Sequence, residues 1–179
     1  MTRNSPELSA RAREIALELT SWSSVTGTPG EGAFAQRLQE YLRLKGFDEG
    51  ILLSVDAGPN PRGNLAVLKR GRSARTIVLT GHFDTVPYDD YGALADLALD
   101  PEALTKAIIT RLRQSGESKL ALRDFESGEF LAGRGLLDMK AGLAAGLAVM
   151  EAYAGEASIL FLAVCDEEET SAGARAAAW

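Results

Sequence analysis

Two stretches of this chain are apolar without alternation, TIVLT (76–80) and SILFLAVC (158–165), and both end abruptly in ionisable residues. A strand with one face in water alternates apolar and polar side chains. A strand that is apolar throughout is buried on both faces, which calls for a sheet covered by helices. Two further runs, ILLSV (51–55) and NLAVLK (64–69), are separated by the turn-rich AGPNPRGN (57–64). RTIVLT (75–80) follows the polar turn RGRSA, so the second and third runs are expected to pair as a hairpin. Three helix starts carry a capping residue followed by proline: Ser5-Pro6, Thr28-Pro29 and Asp100-Pro101. Thr28 and Glu31 also have capping-box spacing. The first helix carries Leu8, Ile15, Leu19 and Trp22 at close to helical period; the second carries Phe34, Leu38, Tyr41 and Leu42 and stops near Gly46. A small-residue helix follows from DMKAGLAAGLAVMEAYA, and TSAGARAAA starts another. The order α, α, β, β, β, α, α, β predicts an α/β layered domain with a mainly parallel mixed sheet flanked by helices. The segment 88–130 is the least regular and is expected to hold one helix, roughly 101–114.

Charge narrows the function classes. A formal net charge of −6 argues against nucleic acid or an anionic membrane as partner. The first twenty residues are charged throughout, unlike a signal peptide, and no apolar stretch reaches the roughly 18 residues of a membrane span. A single cysteine, Cys165, allows no internal disulfide and suits a reducing cytosol, so a cytoplasmic location is expected.

Three segments fall where α/β proteins place ligands, at strand ends or helix starts. They are His82-Phe83-Asp84 after TIVLT, GRGLLDMKAG (133–142) opening the small-residue helix, and Asp166-Glu167-Glu168-Glu169 after SILFLAVC. Each alone has a plainer reading. His82, the only histidine, fits a hydrogen-bonded core residue. Four carboxylates fit a helix N-terminus, where the dipole welcomes them. Asp138 fits an N-cap, and the glycines before it lack phosphate-loop spacing and fit a tight turn. Together they deliver one imidazole and several carboxylates to one sheet edge, a nitrogen and oxygen set suited to zinc or a similar divalent ion. Asp84 lies two residues past His82, on the same side of an extended chain, placed to accept the other ring N–H. Glu167 and Glu168 divide the labour, one taking a proton and one binding metal. A carboxylate-only magnesium site acting on phosphates is disfavoured, because only Arg134 and Lys140 supply positive charge nearby.

GHFDTVP, GRGLLDMKAG and CDEEETSAG, in that order, make the chain resemble the zinc-dependent exopeptidase and deacylase family of aminoacylase, glutamate carboxypeptidase and succinyl-diaminopimelate desuccinylase. YGALADLALDPEALTKAI and DFESGEFLAGRG look like the insertion of its arginine-utilisation hydrolase branch. The resemblance implies that residues 1–179 are the N-terminal part of a metallohydrolase catalytic domain, truncated before the lid domain that mediates homodimerisation. It implies two Zn2+ per complete site, with Co2+ or Mn2+ as substitutes. His82 and Glu168 would be metal ligands and Asp138 a bridge between metals. Asp84 would orient His82, Glu167 would be the general base, and a cis peptide would join Asp138 to Met139. The implied substrates are small peptides or N-acyl amino acids, tied in the arginine-utilisation branch to arginine or ornithine catabolism. The family's remaining ligands, including a second histidine, are not in this chain, so the expectation is weak metal affinity and little activity from these residues alone. The competing expectation is a non-catalytic binding or interaction module that retains the fold.

Overall fold

A computed structural model describes residues 5–47, 49–55 and 60–178. Helices α1 (Ser5–Thr20) and α2 (Pro29–Arg43) precede the hairpin β1 (Gly50–Val55) and β2 (Arg62–Lys69) and the strand β3 (Thr76–His82). Then come α3 (Pro101–Ser115), α4 (Lys119–Glu126), α5 (Ala141–Ala152), β4 (Ser158–Val164) and α6 (Ala172–Ala177). Residues 57–59 of the β1–β2 turn and Trp179, both part of the sequence reading, lie outside the described residues.

The sheet runs β1-β2-β4-β3. The layered α/β class is as the sequence predicts, but the pairing is less parallel than expected. β3 and β4 are parallel, whereas β1–β2 and β2–β4 are antiparallel. The two runs without alternation form the parallel pair, joined through α5 as a crossover, as parallel neighbours require. The expected β2–β3 hairpin does not form, because β4 inserts between them. The turn after β2 instead spans the start of β4, with the Arg72 and Ser73 N–H groups donating to the Glu156 carbonyl at 2.7 and 2.9 Å.

One sheet face carries Leu65, Val67, Phe161 and Ala163, all buried under Ile15 and Leu19 of α1, Phe34 and Leu38 of α2 and Leu143 and Leu147 of α5. Trp22, assigned by period to the first helix, lies just past its end and packs edge-on against Phe34 at 5.5 Å. Arg11 of α1 closes the far side with a forked pair to Glu151, both contacts 2.8 Å. Ile51, Leu53 and Val78 lie on the opposite face and are exposed among the described residues, so β3 is not buried on both faces as its unbroken apolar run predicts. The segment 88–130 holds more structure than its composition suggested. A 3₁₀ segment, Asp89–Leu97, precedes α3, and α4, only 8 residues long, packs against α3; so short a segment offers too few turns for its apolar period to stand out. Among the described residues no helix is long and apolar enough to cross a membrane.

Candidate metal centre

The parallel pair ends in register, with His82 opposite Val164. The chain beyond β3 stays extended because it is gripped from both sides. Phe83 N–H donates to the Val164 carbonyl at 3.0 Å, and Thr85 exchanges backbone bonds with Ser24 and Thr26, each 3.0 Å. His82 and Asp84 therefore face the same way, and both are buried.

Asp84 does more than orient the imidazole. The His82 Nδ1 lies 3.1 Å from the Asp84 backbone carbonyl and 3.5 Å from its Oδ1. The carbonyl, rather than the expected carboxylate, is thus the closer partner of Nδ1. The carboxylate turns towards the loop after β4, where Oδ1 accepts the Glu167 N–H at 3.0 Å and Oδ2 accepts the Glu168 N–H at 3.1 Å. Oδ2 also accepts the Thr26 hydroxyl at 2.9 Å. Burial works against the Asp84 charge, but His82 and these donors outweigh it and hold the group below the usual carboxylate range.

With Nδ1 given to the carbonyl, Nε2 faces the acids: 3.0 Å from Asp138 Oδ1 and 3.8 Å from Glu167 Oε2. Burial disfavours the imidazolium, yet Asp84 and Asp138 more than compensate and push it up to about 9. Asp138 reaches this point from the turn Leu136–Lys140, and its peptide bond to Met139 is cis, as the resemblance implied. Gly81 admits that turn. A Cβ there would sit 2.6 Å from the Met139 methyl carbon. Lys140, fully buried behind the turn, donates to the Trp22 carbonyl at 2.7 Å and ties it to the end of α1. Burial lowers its ammonium to about 7 against the pull of Asp84.

His82, Glu167 and Glu168 each offer a ligand atom within 4.8 Å of the others. Burial raises Glu168 above its ordinary range, and the neighbouring Asp138, Glu167 and Asp84 charges add to this against the attraction of His82. One imidazole nitrogen facing several carboxylate oxygens, with negative charge in excess, fits a zinc-class divalent ion. Of the five residues singled out in the sequence, His82, Glu167 and Glu168 form the close ligand group, Asp138 joins through its contact with His82, and Asp84 stands behind them with its carboxylate turned to the loop; Glu169 is exposed. Arg134 does not join them: it pairs with Asp90 and stacks 5.0 Å from the Tyr91 ring.

Three residues beneath this centre have a role that the sequence reading did not assign: Glu31 was read as a cap partner, Arg62 as part of a turn and Asp166 as one of four carboxylates. Glu31 forms no capping box; the Thr28 hydroxyl donates to the Val25 carbonyl at 2.6 Å instead. Glu31 is wholly buried, and its Oε2 accepts the Gly27 N–H at 2.7 Å and Arg62 Nη1 at 2.6 Å. Its Oε1 accepts the Asp166 N–H at 2.8 Å. Asp166, also buried, sits 3.0 Å from Arg62 Nη1. No local spacing links residues 31, 62 and 166; the nearest signal is an arginine between Pro61 and Gly63 at the start of a strand.

The profile of peptidase family M20/M25/M40 matches residues 78–178, from β3 through α6. YqjN, an uncharacterized protein of Bacillus subtilis, is 35% identical over 165 residues, covering 89% of this chain and 30% of its own length. RocB of the same organism is 33% identical over 175 residues, covering 91% and 30%. The succinyl-diaminopimelate desuccinylase of Novosphingobium aromaticivorans is 30% identical over 143 residues, covering 79% and 32%. The di-peptidase Dug1p of Saccharomyces cerevisiae shares the fold, with a TM-score of 0.60 at 13% identity over 93% of this chain and 34% of that one. The chain thus spans about a third of the length of the curated relatives it matches. With the family profile covering both strand ends and the turn between them, the chain belongs to peptidase family M20/M25/M40.

Proposed function

We propose that residues 1–179 are the N-terminal part of the catalytic domain of a metal-dependent amide hydrolase, one that cleaves small peptides or N-acyl amino acids in the cytosol. The observation that carries this reading is the meeting of His82 Nε2 with Asp138 at 3.0 Å and with Glu167 at 3.8 Å, beside Glu168. His82, Asp138 and Glu168 would hold the ion, with zinc the best match to the donor set. A bound divalent ion supplies positive charge that polarises the scissile carbonyl and acidifies a water.

The chain's own groups do the rest. The Asp84 carbonyl accepts a hydrogen bond from Nδ1–H, which keeps the proton on Nδ1 and leaves Nε2 as the ligand nitrogen. Glu167 projects to the same point with its side chain 48% accessible, so it is open to a water on one side and to substrate on the other. It accepts the proton of the attacking water and returns it to the departing amine, the two tasks of one general base. The names of two similar proteins, a desuccinylase and a di-peptidase, support acylated amino acids and short peptides as substrate classes. The insertion-like segments YGALADLALDPEALTKAI and DFESGEFLAGRG support the finer assignment to arginine or ornithine catabolism.

The test is which variant loses which property. Dipeptides and N-acyl amino acids are offered to the zinc- or cobalt-loaded chain, and the released amino acid is measured. Glu167→Gln should retain metal and lose whatever hydrolysis the wild type shows, whereas Glu168→Gln should lose both. Hydrolysis that survives Glu167→Gln, or a folded wild type that binds no metal, contradicts the reading.

A further inference from the structure

Three successive backbone N–H groups beneath the centre are held by buried carboxylates. Asp84 takes those of Glu167 and Glu168, and Glu31 takes that of Asp166. Asp84 comes from the chain that carries His82. Glu31 comes from the first turn of α2, and Arg62 from the first residue of β2, so two elements outside the motif segments reach in under the loop. They abut closely: a Cβ on Gly32 would lie 2.2 Å from the Pro61 carbonyl oxygen.

The loop needs such anchoring. Asp166 adopts φ 59°, the left-handed region that L residues other than asparagine and aspartate seldom enter. Its Oδ2 accepts the Ala172 N–H at 3.0 Å and the Thr170 hydroxyl, which folds the chain back on itself. Its Oδ1 faces Arg62 Nη1 at 3.0 Å as an ion pair without an aligned hydrogen bond, and Arg62 Nε has no hydrogen-bond partner among the described residues. A wholly buried Glu–Arg–Asp triad, imperfectly satisfied and carrying a net negative charge, is a poor source of stability. Desolvating such charges costs about as much as their attraction returns, and apolar replacements often fold as well. Its geometry has a clear consequence, however. It fixes the backbone from which Glu167 and Glu168 project towards His82.

We infer that Glu31 and Arg62 are positioning residues of the metal centre, holding the 166–168 turn so that Glu167 and Glu168 present their carboxylates to the ion held by His82. This rests on the metal-site reading above. Neither residue touches the ion or substrate; both act through the loop.

Glu31→Gln and Arg62→Lys test it in the full chain. Zinc binding is followed by calorimetry, the ligand geometry by the visible spectrum of the Co2+ form, and the fold by circular dichroism. The expected result is a folded variant with at least tenfold weaker zinc binding and an altered Co2+ band. A folded variant with wild-type zinc affinity and an unchanged Co2+ spectrum overturns the assignment. If one variant fails to fold, the other decides. If neither folds, the triad is an element of folding and the positioning role is overturned. A folded wild type that binds neither ion overturns the metal-site reading itself, and that is distinguishable because the variants are then irrelevant to the outcome.

Discussion

The floor and the rim of this centre are built from the same residue types under opposite rules. In the floor, Glu31, Asp84 and Asp166 are completely buried, and each faces a cation or several N–H and O–H donors. In the rim, Asp138 is 77% and Glu167 48% accessible, and the carboxylates gather round one imidazole. Buried charge is tolerated where partners are supplied by the fold; like charges at a surface persist only where water or a counter-ion relieves them. Under the proposed function, the floor fixes geometry and the rim does chemistry. Substitutions should therefore separate the two.

The sharpest separation is expected at Arg62. Arg62→Ala leaves Glu31 and Asp166 buried without their cation, and removing one partner of a buried ion cluster costs about 3–5 kcal/mol. Urea unfolding should show that loss. A loss no larger than that of a surface substitution would mean the floor is wetter than its accessibility indicates.

Cys165 sharpens the same contrast through pH. It lies at the base of the carboxylate loop, fully buried, and burial pushes its thiol up to about 12, with the Glu31 charge adding to the effect. The folded chain thus retains a proton that the unfolded chain releases from about pH 9 upwards. Stability should fall as pH rises above that point, by at most about 1.4 kcal/mol per pH unit from this group. Cys165→Ala should flatten the slope. In native protein at pH 8, Ellman's reagent should leave the thiol unmodified until denaturant is added; immediate labelling would place water in the floor.

The rim residues were legible in the sequence and the long-range pairing of the floor was not, for a physical reason. His82, Asp138, Glu167 and Glu168 sit at the ends of apolar runs or at the opening of a helix. Local pattern fixes those positions, and parallel strand pairing brings them together. The expectation for Asp84 was half met. Its spacing put it beside His82, but its carboxylate serves N–H groups more than eighty positions away in sequence, at 3.0 and 3.1 Å. Glu31 was misread because capping-box spacing is a local rule, and a tertiary partner, Arg62, outcompeted the cap. The β2–β3 hairpin was misread likewise, since a short polar turn joins strands that β4 later separates. α4 went unseen because it is only 8 residues long, too short for a helical period to be distinguished from the irregular chain around it.

The most direct measurement of the central claim is thermal unfolding of the wild type and Glu168→Gln, each with and without excess zinc. Glu168 touches the rim rather than the floor, so without zinc the two should unfold within about 0.5 kcal/mol of each other. Zinc should raise the transition of the wild type alone, because an ion bound by the native state stabilises it by mass action. Equal zinc shifts in both proteins, or a Glu168→Gln chain already destabilised without zinc, would contradict the division between a structural floor and a metal-binding rim.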